Sequence, residues 1–423
     1  MNLLDKNRLL AIVLIAIICL IVFEEYQLVS LRKEHDELAA KHAYLLERHN
    51  ELAAKYAILA SKPAEAAYII FRDGEHVKAK NGLTGEIDFS GTDASTVIQW
   101  ALDSLTPNRT WVEKVAVVGS FTLSSKIRVS GYTFLDLSQA NLTLAVNVND
   151  NMIEASGWYF TIFGGILNAN GANQERGSAI LVKAEAQRFF IGYGMRIFNA
   201  KEHGIHLQGD YEHDKWVGVG VIADIIIEGC GGSGVLSAPW SADHIFSRLN
   251  CGGNGGAGIC LSTSDSNLVE NCLFWNNWKG IDIYNSRHNV IIANRADYNL
   301  CCGICICKNS SENIIVGNEV YGNGEHQILV ESEAGTRNII RDNGGYMAEN
   351  SGVTIFSGDG ETTTFPIPHG LSGTPKSWSI EAASADAMGN RYVVANATHL
   401  IVTYAVPPPQ GNDNVVLVWR AET

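Results

Sequence analysis

Several rhythms of apolar and polar positions run along this chain, and each predicts its own element. From Leu9 to Phe23 every residue is apolar. At ~1.5 Å per residue the run reaches about 22 Å, short of the ~30 Å hydrocarbon core, so a cleaved signal peptide competes with an uncleaved anchor. Glu24, Glu25 and Tyr26 follow directly, with no small-x-small cleavage pattern, and this favours the anchor. Lys6 and Arg8 precede the run, while the next basic residue is Arg32. That asymmetry puts the amino terminus in the cytoplasm and the body outside the cell.

A second rhythm starts at once. Leu31, Leu38, Leu45, Leu52 and Leu59 recur every seven residues until Pro63 ends the pattern. With these at d, Leu28, His35, His42, His49 and Tyr56 fall at a, so residues 24–62 read as a coiled-coil stalk. A lone amphipathic helix is the alternative. Ala39 and Ala53 at e widen the apolar strip, which favours a homotrimer over a dimer. His35, His42 and His49 are candidate ligands for a divalent metal ion, or a pH-sensitive seam. A hydrated, loosely packed seam is the plainer reading.

Residues 63–144 read as short strands around one helix. Ala94, Val97, Ile98, Ala101, Leu102 and Leu105 have helical spacing, with Thr92 or Asp93 as cap. Strands are expected at 115–118, 121–123, 126–129 and 132–137. Residues 145–350 then repeat. Gly234-Val-Leu-Ser, Gly258-Ile-Cys-Leu, Gly280-Ile-Asp-Ile and Gly303-Ile-Cys-Ile open units of 22 to 24 residues. Gly204-Ile-His-Leu opens a longer unit before them, and Gln327-Ile-Leu-Val opens one more after them. Asn254, Asn276, Asn299 and Asn323 precede the openings by four residues, and Asn271, Asn294 and Asn318 stand five residues earlier. Asn267, Asn289, Asn313 and Asn338 begin a second apolar run in each unit. No single unit can bury its apolar face, so coil must stack on coil at ~4.8 Å. Asparagine tolerates left-handed backbone, and its amide can bond the same residue one coil away. The fold class is therefore mainly β: a right-handed parallel β-helix behind an N-terminal transmembrane helix and coiled coil. Residues 351–423 alternate apolar and polar positions between Pro-Gly turns, which predicts a C-terminal β-sandwich.

Gly91 to Leu144, with GTDASTVIQWALDSL as a capping helix, resemble the first-coil region of pectate-lyase-like β-helix proteins. The repeats from Gly177 to Met347 are similar to NosD-like and polygalacturonase-like coils of that superfamily. The last 70 or so residues look like tail-fibre-like C-terminal modules, which implies a part in receptor binding or assembly. The superfamily resemblance implies the fold, while leaving lyases, hydrolases, epimerases and non-enzymatic spikes all open.

Composition narrows this only a little. A hydrophobic content of 46% with 18% charged residues fits a folded body, and the 41 glycines recur with the repeat. The net charge of −14 argues against nucleic acid as a partner. Nine cysteines form no paired CxxC units. In Cys301-Cys302-Gly-Ile-Cys305-Ile-Cys307, the alternation turns Cys305 and Cys307 outward, side by side. Small residues filling a tight coil explain them, and an inter-coil disulfide to Cys260 or Cys230 is the alternative. Sequons at Asn108, Asn141, Asn309 and Asn396 fit an exposed body but are near chance.

Polysaccharide-cleaving β-helices bring carboxylates to matching registers of adjacent coils. Here the outward stack reads His206, Leu236, Cys260, Asp282, Cys305, Leu329. Two positions on it reads Gln208, Ala238, Ser262, Tyr284, Cys307, Glu331, and neither row holds an aspartate pair. The densest polar cluster is Glu202-His203-Gly-Ile-His206-Leu-Gln-Gly-Asp210-Tyr211-Glu212-His213-Asp214, where the unit lengthens to 30 residues. Insertions in solenoids become loops on one face. His206, Asp210, Tyr211, His213, Asp214, Asp243, His244, Asp282 and Tyr284 are the candidate binding residues, with calcium in the groove a possible cofactor and no catalytic residue assigned. A solvated loop without a ligand is the plain alternative. The expected function is a membrane-anchored extracellular protein that binds a glycan or surface receptor. A polysaccharide lyase or glycoside hydrolase is the rival, and a structural cell-surface or virion spike the third reading.

Overall fold

The computed structural model describes residues 66–423. The anchor, the stalk and His35, His42 and His49 lie outside the described residues. Among the described residues no helix is long and apolar enough to cross a membrane.

Alternation of side chains fixes which way each repeat faces. Ile205, Val235, Ile259, Ile281, Ile304 and Ile328 are register partners on successive parallel strands, and all are buried in one core. They belong to a nine-stranded parallel sheet running from Ile127–Val129 to His326–Val330. The rest of each coil joins a seventeen-stranded sheet, to which a typical unit contributes two short strands, as with Leu268–Glu270 and Leu273–Trp275. Rings stack in the same core, Phe160 on Phe189 with centroids 4.9 Å apart.

The coils turn at corners that pair a left-handed residue with a ladder residue. Asn276 (φ 50°) precedes Asn277, Ala293 (φ 55°) precedes Asn294, and His288 (φ 58°) precedes Asn289. The side chain after the corner points inward and accepts from the backbone N–H one coil back. Asn277 Oδ1 accepts from Asn254 N at 3.1 Å and Nδ2 at 2.9 Å. Asn277 Nδ2 in turn donates to Cys251 O and to Asn299 Oδ1. Two of the asparagines expected in ladders therefore serve as corners. Asn271 and Asn276 hold the left-handed backbone, while Cys272 and Asn277 occupy the inward register. The glutamine that replaces the last opening glycine has a use too: Gln327 Oε1 accepts from Asn323 Nδ2 at 2.9 Å and closes that ladder. The glycines before it serve close approach, since a Cβ on Gly303 would lie 2.2 Å from Val320.

The first coil is covered as the apolar spacing predicts. The helix Ala94–Asp103 is capped by Asp93, which accepts from Thr96 N, and it buries Val97, Ile98, Ala101 and Leu102. The strands beside it run longer than expected, Glu113–Leu123 and Thr133–Leu144. Past the coils, two three-stranded antiparallel sheets enclose a second core that includes Phe365, Leu400, Leu417 and Trp419.

Candidate functional site

The outward face of the nine-stranded sheet is a set of rows, because each register position repeats on the next strand. One row runs Arg128, Glu154, Leu181, His206, Leu236, Cys260, Asp282, Cys305, Leu329. The extra residues of the long unit rise beside this face. Asp210 and Lys215 pair as an antiparallel bridge, closed by Asp210 N to Lys215 O at 2.8 Å and the return bond at 3.0 Å. Inside the bridge Asp210 Oδ1 accepts from Glu212 N and His213 N, the local bonding that lets aspartate start a turn. Its other oxygen lies 2.7 Å from His213 Nδ1. Lys215 reaches Glu185 at 2.8 Å and ties the loop to the preceding coil.

Aromatic rings gather on this loop. Tyr211 lies 5.6 Å from Trp240 and Trp216 lies 4.4 Å from the same ring. Tyr211 remains 74% exposed, so its ring edge rests on Trp240 while much of its surface is presented to solvent. Beside it opens a cavity of about 480 Å³ lined by Lys183, Gln208, Asp210, Tyr211, Glu212 and Pro239. Lys183 and Gln208 are register neighbours on adjacent strands. A second cavity of about 400 Å³, around Ser138, Asn141 and Arg196, has no aromatic ring in its lining.

The residues expected to form one binding face fall into four places. Asp210, Tyr211, His213 and Asp214 are on the loop, where Asp214 Oδ1 accepts from Trp216 Nε1 at 3.3 Å. His206 lies on the strand leading into the loop, half-buried, with its ring 5.2 Å from His203. Burial, and then the His203 charge, pull its pKa down to about 4. Asp282 and Tyr284 share the sheet face but lie three strands further on, roughly 14 Å at the usual strand spacing. They do not join the loop.

His244 must be withdrawn from the binding residues. It is 1% exposed and stands in a ladder register directly after the corner residue Asp243 (φ 60°). Its Nδ1 accepts from Gly220 N at 3.1 Å, its Nε2 meets Ser241 Oγ at 2.8 Å, and its own N–H donates to Asn267 Oδ1. It thus performs the asparagine role in imidazole form. Complete burial pushes its pKa down to about 3. Asp243 beside it is exposed, and its backbone holds the corner, with its N–H donating to Asp265 O. Cys305 is corrected as well: it faces away from the isoleucines, yet it is fully buried in a small cluster with Cys301, Cys302, Cys307 and Leu329.

Lys183 and Pro239 escaped the sequence reading. They come from the coils on either side of the loop, and only the register brings them to its cavity. A calcium site at the loop finds no support in the donors. Among the described residues the one converging set of three is Asp282, Cys305 and Cys307. Asp210 is held below the usual carboxylate range by its bond to His213, so it is an acceptor and not a proton donor at neutral pH.

Comparison with known proteins follows the coils. Residues 178–344 match the family model described as right handed beta helix region. No curated protein matches the chain in sequence. Among solved structures it is similar to the A-module of an Azotobacter vinelandii mannuronan C-5 epimerase, AlgE6 (12% identity, 60% of this chain, 92% of that one, TM-score 0.39). It is also similar to the Dettilon tailspike protein (14% identity, 78% and 91%, TM-score 0.42). A third similarity is to ORF18 of Geobacillus virus E2 (14% identity, 76% of each chain, TM-score 0.43). At such identities and scores none of these likenesses bears on activity or substrate. Family match and strand register agree over the same stretch, so residues 178–344 of this chain are a right-handed β-helix region.

Proposed function

We propose that the protein binds an extended polysaccharide on the face of the nine-stranded sheet beside the Asp210–Lys215 loop. The observation that carries this reading is the exposed Tyr211 ring, braced by Trp240, at a cavity that also holds Lys183, Gln208, Asp210 and Glu212. Sugars offer an apolar ring face bordered by hydroxyls. A site for them combines an aromatic surface with a few fixed donors and acceptors. Lys183 and the Gln208 amide supply donors, and the two loop carboxylates supply acceptors. The bond to His213 holds Asp210 below the usual carboxylate range, so it serves as an acceptor for sugar hydroxyls. Location outside the cell, behind an anchor at residues 1–23, belongs to the same proposal and rests on the apolar run and its flanking charges.

The test is retention on a panel of immobilised acidic and neutral polysaccharides, run beside assays for reducing-end and unsaturated-uronate release. Tyr211→Ala should weaken retention at least about tenfold, by analogy with the removal of an aromatic anchor. Its melting temperature should hardly change, because exposed loop substitutions cost little. Retention unaffected by Tyr211→Ala and by Asp210→Ala would overturn the site. Release of sugar by the wild-type protein would replace binding with catalysis.

A further inference from the structure

Three coils beyond the loop, the same sheet face carries a different chemistry. We propose that Asp282, Cys305 and Cys307 form a binding site for a thiophilic divalent cation, zinc foremost. Asp282 and Cys305 are register partners on adjacent strands, and Cys307 follows two residues on, so all three side chains leave the same face. Cys305 Sγ and Cys307 Sγ are 3.0 Å apart, and Cys307 Sγ is 3.2 Å from an Asp282 oxygen. The three donor atoms all lie within 4.8 Å of one another. Four-coordinate zinc takes thiolates at ~2.3 Å and carboxylates at ~2.0–2.2 Å, which sets neighbouring donors roughly 3.5–3.8 Å apart. To receive it the two sulfurs need to spread by roughly 0.8 Å, and the Cys307–Asp282 pair by a few tenths of an ångström.

Two further features suit a cation. Cys305 is 0% and Cys307 2% exposed although both point away from the isoleucine core, so the donors are shielded from water and their attraction for charge is strengthened. The Lys279 ammonium lies 3.0 Å from Asp282 Oδ1 and 3.6 Å from Cys307 Sγ, already placing positive charge beside these atoms. Binding displaces the two thiol protons to solvent. Two thiolates and one carboxylate around a doubly charged ion leave one net negative charge, which Lys279 offsets. Three protein donors leave a fourth position for water. Calcium and magnesium, which prefer oxygen, are disfavoured by the sulfurs.

The test uses the full chain, reduced and freed of metal with a chelator, then titrated with cobalt(II) and afterwards with zinc. A thiolate-to-cobalt charge-transfer absorption should grow to one equivalent and vanish as zinc displaces cobalt. Histidines, including His35, His42 and His49, produce no such band. Cys305→Ser and Cys307→Ser should each lower affinity at least about a hundredfold and Asp282→Asn about tenfold, in line with ligand and near-ligand losses at metal sites. Tyr211→Ala should leave it unchanged, which separates this site from the polysaccharide face. Absence of the band, a band indifferent to both serine variants, or a disulfide joining Cys305 to Cys307 in the purified protein would overturn the proposal. If the serine variants fail to fold, zinc-edge absorption of the wild-type protein loaded with one equivalent decides. Two sulfurs at ~2.3 Å are expected, and a shell of nitrogen and oxygen alone would overturn it.

Discussion

His244 shows how much one side chain can be asked to do inside a coil. It lies between Phe189 and Phe246, each with its ring 5.8 Å away, and its Nδ1 is committed as an acceptor to Gly220 N. The proton must therefore sit on Nε2, facing Ser241 Oγ. Charging the ring would place a second N–H against the Gly220 donor in an apolar surround. His206 has the same sign of shift, its pKa lowered to about 4 by burial, while that of His244 falls to about 3. In the unfolded chain both titrate near ~6.5. The unfolded state thus binds more protons below that pH. The stability they contribute is whole above ~6.5 and is lost as pH falls through about 4 and then about 3. Urea denaturation between pH 7.5 and pH 4 should show this loss, and His244→Asn, which restores the usual ladder residue, should flatten the slope. Ile304 tests the core more directly. It is 0% exposed, and Ile304→Ala should cost ~2–5 kcal/mol through the cavity it leaves. A cost below about 1 kcal/mol would mean that the coil collapses around the gap.

Among elements, the corners separate two roles that one residue type can fill. Asn277 bonds both neighbouring coils, so Asn277→Ala would orphan Asn254 N and take the side-chain donor from Cys251 O, while Asn299 Oδ1 keeps the backbone N–H of position 277. Each buried group left unpaired costs ~1–3 kcal/mol, and a loss of at least about 2 kcal/mol is expected. Asn276 contributes only its left-handed backbone, φ 50°. Asn276→Gly should therefore be nearly neutral, and Asn276→Ala should cost ~1 kcal/mol. Equal costs for the two alanine variants in chemical denaturation would contradict the division of roles. The Asp210–Lys215 loop follows a related logic, with aspartate setting the turn and Lys215 fastening it to Glu185. An aromatic platform is useful only when its backbone is held still.

At the scale of the whole molecule, association is the open prediction. The leucine repeat of residues 24–62 lies outside the described residues, and its coiled coil stands as a proposal drawn from the heptads. Leu31 through Leu59 at d supply the association energy, while His35, His42 and His49 weaken the seam when charged. Since histidine charges below ~6.5, a chain starting at Glu24 should form a trimer at pH 8 and dissociate toward pH 5, as sedimentation would show. A monomer at pH 8 would remove the stalk. A trimer indifferent to pH and to zinc would keep the stalk and remove its histidine switch. The net charge of −14 adds repulsion between copies that salt should relieve, so the measurement needs fixed ionic strength.

The sequence by itself determined the period of the coils, the inward isoleucines and the capping helix, because each is a local rhythm. Strand side chains alternate with period two and helical ones recur with period 3.6, so facing follows from spacing. The ladder over Asn267, Asn289, Asn313 and Asn338 was visible for the same reason, and the equivalence of Asp243-His244 with Ser266-Asn267 was there to be read. In Asn276-Asn277 two identical side chains stand side by side, and nothing local says which one turns left-handed. Only the tertiary structure decided that, along with the burial of the thiols and the meeting of Lys183, Gln208 and Pro239 at one cavity. Those outcomes depend on how coils of unequal length come into register. A corner longer or shorter by one residue would have sent the same side chains to the other face.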